Sequence, residues 1–187
     1  KRAELVEKIS EMDDELIVKF LDDEEITVSE LKKALRKVVL ENRATLVFCG
    51  SSLKNKGIQL LLDAVIDYLP SPLDMPAIKG IDPKTEKEIS RRPSEEEPLC
   101  ALIFKIISDP FAGRMAYFRV YSGKLIQGAM VLNSSTGKKD RVGRLLRVYA
   151  DHREDIEEIG TGDIGAILGM REASTGDTIC NPSHPII

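Results

Sequence analysis

Apolar positions along the first part of the chain recur at helical steps. Leu5, Ile9, Met12, Leu16 and Phe20 are spaced by three and four residues, which predicts one helix burying a single face and ending at the acidic stretch 22–25. A second helix is predicted from Thr27. Thr27 and Glu30 spell a T-x-x-E capping box, Ile26 and Leu31 are placed for a hydrophobic staple, and Leu31, Leu35 and Val38 form the buried stripe. The run Thr45–Cys49 is β-branched and aromatic and too short for a helix, so it reads as a buried parallel strand. After a loop spanning Gly50–Gly57, a third helix is predicted with Ile58, Leu61, Leu62, Val65 and Leu69 on one face, stopped by Pro70 and Pro72.

Residues 73–97 lose all apolar periodicity. Pro72, Pro76, Pro83 and Pro93 are four of the nine prolines in the chain, and the stretch reads as a linker running into an edge strand. From Pro98 the period becomes two. Strands are predicted at 99–107, 114–121, 129–133, 141–149, 163–168 and 178–180, separated by glycine turns. In 114–121, Met115, Tyr117, Arg119 and Tyr121 alternate with Ala116, Phe118 and Val120. This is the pattern of a small antiparallel β-barrel. The expected fold class is α+β: an α/β part over 1–72, a linker over 73–97 and a barrel over 98–187.

Composition alters this picture little. Across 187 residues, 42% are apolar and 31% charged, and no apolar run reaches the ~18–20 residues that a membrane-spanning helix needs. The chain begins at Lys1 in mid-helix pattern, as a piece of something longer would. The net charge of −4 argues against general nucleic-acid affinity, but its distribution is uneven. Between 114 and 147 there are eight bases (Arg114, Arg119, Lys124, Lys138, Lys139, Arg141, Arg144, Arg147) and one acid, Asp140. Such an excess can face phosphate or can be a set of solvated strand faces. Cys49, Cys100 and Cys180 form no C-x-x-C, and His152 and His184 make no ligand pair, so no metal site is expected; three plain buried thiols fit a reducing compartment.

Three short motifs are weak. Gly160–Gly165 spells G-x-G-x-x-G, but a dinucleotide site needs a helix after it, and the following run is too short. Asp140–Gly143 spells D-x-x-G inside a predicted strand, and Asn133–Ser135 fits a glycosylation sequon with no secretory signal to give it meaning. The phosphate-loop pattern G-x-x-x-x-G-K-[ST] is absent, and no catalytic set can be assembled. The loop Cys49–Gly57 is the better candidate. It follows a predicted strand and precedes a helix, where open α/β sheets bind ligands; its small residues let backbone N–H groups approach a planar acceptor, and Leu53 can cover a ring face.

This loop and its surroundings resemble the translational GTPases of the elongation factor G family. The matching words are Cys49–Gly57, Leu61–Val65, Asp67–Asp74, Phe104–Ile106, Asp109-Pro-Phe, Arg119–Gly123 and Thr175–Thr178, in the family's order along nearly the whole chain. The resemblance implies that 1–72 is the end of a GTPase domain, including the last part of its inserted helical subdomain, and that 98–187 is its second, β-barrel domain. It implies a guanine-facing loop at Ser51, Ser52 and Leu53, in which the Ser52 backbone N–H reads guanine O6; the family usually has Ala at that position. Asn55-Lys56 is not the base-reading N-K-x-D motif, because Ile58 stands where Asp is needed. The family's cofactors, GTP or GDP with Mg²⁺, are expected in the whole protein, and no catalytic residue or bound nucleotide is expected in this piece. The implied partners are the ribosome, through small-subunit rRNA, the tRNA–mRNA complex, and a preceding GTPase region packed on 1–72, in a cytoplasmic setting. The RNA-facing candidates are Arg114, Arg119, Lys138, Lys139, Arg141, Arg144 and Arg147. A sibling ribosomal GTPase of release-factor or ribosome-protection type, or a non-enzymatic RNA-binding barrel, stays open on these residues.

Overall fold

The computed structural model describes residues 1–109, 113–150, 152–170 and 172–187, so Pro110 and Phe111 of the Asp109-Pro-Phe word lie outside the described residues. The chain forms two compact units, Lys1–Pro70 and Ser71–Ile187.

The first unit is helical. The predicted first helix is two helices, α1 (Arg2–Ser10) and α2 (Asp14–Leu21). Asp13 is the reason for the break. Its backbone is extended and its carboxylate accepts from the N–H groups of Glu15 (3.1 Å) and Leu16 (3.2 Å), an N-cap that starts a new helix. Ile9 and Leu16 still meet, on either side of that turn, in a core with Ala34, Ile26, Leu31 and Leu35. Helix α3 (Val28–Leu40) has the expected capping box: Thr27 Oγ1 accepts from Glu30 N–H at 3.3 Å, and Glu30 Oε2 accepts from Thr27 N–H at 2.9 Å. Helix α4 (Ile58–Tyr68) is joined to α3 by Lys32–Asp67 (2.6 Å) and by Arg36, which donates to the Asp67 carbonyl at 2.9 Å, one of the last carbonyls of α4.

Residues 45–49 do not form the buried strand that was expected. They run without a ladder partner; Val47 is 86% exposed, and Phe48 and Cys49 are exposed with it. A strand exists only when a neighbour accepts and donates its backbone hydrogen bonds, and no strand pairs with this run among the described residues. Cys49 is therefore an exposed thiol, which corrects the reading of three buried ones.

The second unit is β. The expected linker holds a one-turn helix at Pro72–Asp74 and a hairpin, β1 (Ile78–Ile81) with β2 (Glu88–Arg91). Its β1 strand exchanges two backbone bonds with Ile187, Ile81 N–H to Ile187 O (2.7 Å) and the reverse (2.9 Å). The main strands are β3 (Cys100–Asp109), β4 (Gly113–Ser122), β6 (Met130–Asn133), β7 (Lys138–Arg141), β8 (Leu145–Tyr149), β9 (His152–Ile156), β11 (Ile164–Leu168) and β12 (Thr178–Cys180). They form one antiparallel sheet in the order β7-β6-β12-β3-β4-β11-β8-β9; the short β5 (Leu125–Ile126) and β10 (Glu158–Ile159) pair separately. This is the barrel-like domain expected. The predicted 141–149 strand is two, because the chain turns between Arg141 and Leu145, where Gly143 lies against the Leu168 carbonyl.

The period-two reading of β4 holds. Ala116, Phe118 and Val120 enter the main core with Ile103, Leu125, Leu145, Ile167 and Ile179, while Met115 faces the other way into a small cluster with Leu146 and Ala166. The G-x-G-x-x-G stretch is explained by this packing. A Cβ on Gly165 would lie 2.7 Å from Ile159 Cδ1 and 3.1 Å from Phe118 Cζ, so the glycine makes room for the core ring.

Two outcomes follow. Phe118→Ala removes a fully buried ring and is expected to destabilise the second unit by about 3–5 kcal/mol in a denaturant titration. In the first unit, the Lys19 ammonium on Glu30 (2.5 Å) and then the Thr27 amide hold the Glu30 carboxyl down to about 2. A depressed carboxyl stabilises the fold above its unfolded pKa, near 4.5, and loses that contribution as pH falls toward about 2. Acid melts of Glu30→Gln, followed by circular dichroism, are expected to lack that part of the pH dependence.

Candidate functional site

The loop before α4 is held by its own backbone. Ser51 N–H donates to Lys56 O and Lys56 N–H to Ser51 O, both at 2.9 Å, and Asn55, at φ +48°, donates to Ser52 O at 3.0 Å. Gly57 takes φ +77° and opens α4; its missing side chain leaves the Cys49 carbonyl room, since a Cβ would sit 3.1 Å from that oxygen. These bonds use the amides of Ser51, Asn55 and Lys56, and Lys54 N–H reaches Ser51 Oγ at 3.4 Å. The Ser52 and Leu53 amides at the tip make no hydrogen bond with the described residues. Leu53 is 95% exposed. The sequence-predicted residues are thus brought together on one tight turn: two adjacent free donors, small side chains, and an apolar group beside them. Such a turn can donate to a carbonyl oxygen and shield one face of a ring.

The seven basic candidates do not form one patch. Lys138 and Lys139 of β7 line a cavity of about 330 Å³ with Asn133, Thr136 and Glu172; the guanidinium of Arg114, on β4, donates to the carbonyl of Ala173 in the same wall. Arg141 donates to the Gly128 carbonyl at 2.9 Å. Arg144 makes a two-point contact with Asp155, at 3.0 and 2.8 Å, and those bonds hold the Asp155 carboxyl below the usual carboxylate range. Lys138 is paired with Glu172 at 2.6 Å. Arg147 lies opposite Glu154 in the β8–β9 register, and neither Arg147 nor Lys139 has an ion pair among the described residues. Arg119 stands apart, its guanidinium carbon 5.3 Å from the centre of the Tyr121 ring. The local base excess missed Glu172 and Asp155 because both lie beyond residue 147, although antiparallel folding returns them to Lys138 and Arg144.

Among the described residues no group of three His, Cys, Asp or Glu side chains could hold a metal ion, and no helix is long and apolar enough to cross a membrane.

A helical unit with a tight turn before its last helix precedes an antiparallel barrel-like unit in the chain. Residues 98–182 match the family described as Elongation factor G domain 2. The chain is thus similar to elongation factor G, with its second unit as a β-barrel domain. A solved protein from Thermus thermophilus shares the fold, with a TM-score of 0.72 and 27% identity over 98% of this chain. The chain spans 25% of the length of that protein.

Gly57→Ala is expected to cost about 1–2 kcal/mol, because an L side chain resists this left-handed backbone. Faster amide hydrogen exchange across residues 58–61 is the measurement that checks it.

Proposed function

We propose that the chain is part of an elongation factor G-type GTPase that moves tRNA and mRNA through the ribosome, driven by GTP hydrolysis. The observation that carries this reading is the match of 98–182 to domain 2 of that family. The turn at Ser51, Ser52 and Leu53 supports it: the free Ser52 amide fits guanine O6, and Leu53 fits the face of the base. The Ser52 hydroxyl, where the family usually has Ala, adds one donor at the edge of that site.

The parts that would hold phosphates and Mg²⁺ are not in these 187 residues. There is no phosphate-loop pattern and no N-K-x-D motif in the sequence. The nucleotide supplies the energy of the cycle, and this chain's residues contribute recognition of the base alone. The exposed apolar side chains of the first unit, among them Val47, Leu60 and Ile66, suit burial under the rest of a GTPase domain. We read the barrel as the part that meets small-subunit rRNA, through Lys139 and Arg147, which are exposed and free of ion pairs among the described residues, rather than through Arg144 or Lys138, which are neutralised at home. The setting is cytoplasmic.

Two measurements test this. Titration of the isolated chain with a fluorescent guanine nucleotide is expected to show no micromolar binding, since phosphate and Mg²⁺ contacts supply most of the affinity; micromolar binding would overturn the assignment of roles. In the whole protein, Lys139→Glu with Arg147→Glu is expected to weaken ribosome binding and flatten its salt dependence by roughly one to two units of slope, whereas Arg144→Glu acts mainly on stability. Unchanged binding in the double variant places the RNA contact elsewhere.

A further inference from the structure

Arg119 carries a charge that the barrel leaves without an acceptor among the described residues. Its Nε is buried and has no hydrogen-bond partner, and its guanidinium lies over the Tyr121 ring. Two acids of the neighbouring loops are occupied elsewhere: Glu95 and Glu158 both pair with Lys124, at 3.0 and 3.3 Å. A buried donor of this kind costs free energy until something accepts from it.

What lies beside it is a cavity of about 350 Å³. One wall is the Arg119–Tyr121 end of β4. The others come from Pro72, Met75 and Ile78, from Pro93, and from the turn at Gly162. Gly162, at φ +93°, is closed over by Pro72; a Cβ there would lie 2.4 Å from Pro72 Cγ. Pro72 and Gly162 thus meet closely at one edge of the cavity, whose lining is mainly apolar. Its size is at the small end of small-molecule pockets, ~300–1,000 Å³, and a few polar groups among apolar walls are how such pockets fix a ligand's orientation.

We propose that this cavity binds a compact apolar carboxylate, its aromatic or branched body among Pro72, Ile78 and Pro93 and its carboxylate on the Arg119 guanidinium. The fork of a guanidinium matches the two oxygens of a carboxylate. Arg119 is the one cationic side chain among the lining residues, which suits a single carboxylate charge better than a phosphate. The cavity shares no lining residue with the turn at residues 50–57, and the proposal does not depend on the nucleotide reading.

The test is a titration of the 187-residue chain with 4-phenylbutyrate, followed through the Arg119 Nε–H signal by NMR, with 4-phenylbutanamide as the neutral comparator. Saturable binding is expected, weakened about tenfold or more for the amide and for Arg119→Lys, which keeps the charge but loses the fork. Ala77→Phe fills the cavity from a residue outside the barrel sheet and is expected to abolish binding with the β4 amide signals in place. Failure to saturate, equal binding of the amide, or undiminished binding in Ala77→Phe each overturns the proposal. If Arg119→Lys fails to fold, the amide and Ala77→Phe still decide it.

Discussion

The long antiparallel pairing of β3 with β4 is the constraint on which the second unit depends. The two strands lie at the centre of the sheet, and every other strand of the sheet is reached through one of them. Their register shifts at Cys100/Ala101 and again at Ile103/Lys105. Each irregularity bends the pair, which is what a sheet must do to curl. The second leaves Phe104 on the outer surface, tilted against Tyr117, while Ile103 and Phe118 stay inside. The interior then dictates small residues at its margins: Gly165 for the Phe118 ring, and Gly123 where the chain at Glu97–Leu99 passes too closely for any side chain.

One buried polar pair ties two loops of the second unit together. Asn133 and Asp177, both buried, are joined at 2.7 Å, and each also holds a turn: Asn133 accepts from Thr136 N–H, and Asp177 from Ser174 N–H. Two loops distant in sequence are thus set by one pair of side chains, each satisfied on both sides, as burial requires. Lys138, at the end of one of those loops, gains its acidic partner Glu172 by the same folding.

Much of this was legible in the sequence. The capping box at Thr27 and Glu30, the stripe of α3 and the alternation along β4 are local signals, and they lie where local chemistry places them. The errors have one cause. Whether 45–49 is a strand depends on a neighbour, what the Ile81 edge of the 78–91 hairpin bonds to depends on Ile187, and whether Arg144 is a free charge depends on Asp155. None of these is fixed by the residues nearby. Asp13 is the exception: its capping role was readable from Asp13 preceding Asp14 and Glu15, but the apolar spacing from Ile9 to Leu16 masked the break. The loop at 50–57 was legible as a loop because the turn is held by its own backbone. The cavity at Arg119 was not, because its walls come from prolines that read only as linker.

The three sulfurs have unequal fates. Cys100 and Cys180 face each other across β3 and β12, and burial pushes both thiols up, Cys100 to about 11. They are poor nucleophiles and hard to reach. Cys49 is on the surface, two residues before the turn that carries the free amides. The chain therefore has a single addressable thiol. A dye attached there would sit at the rim of that turn, so its emission would report on whatever comes to rest against it.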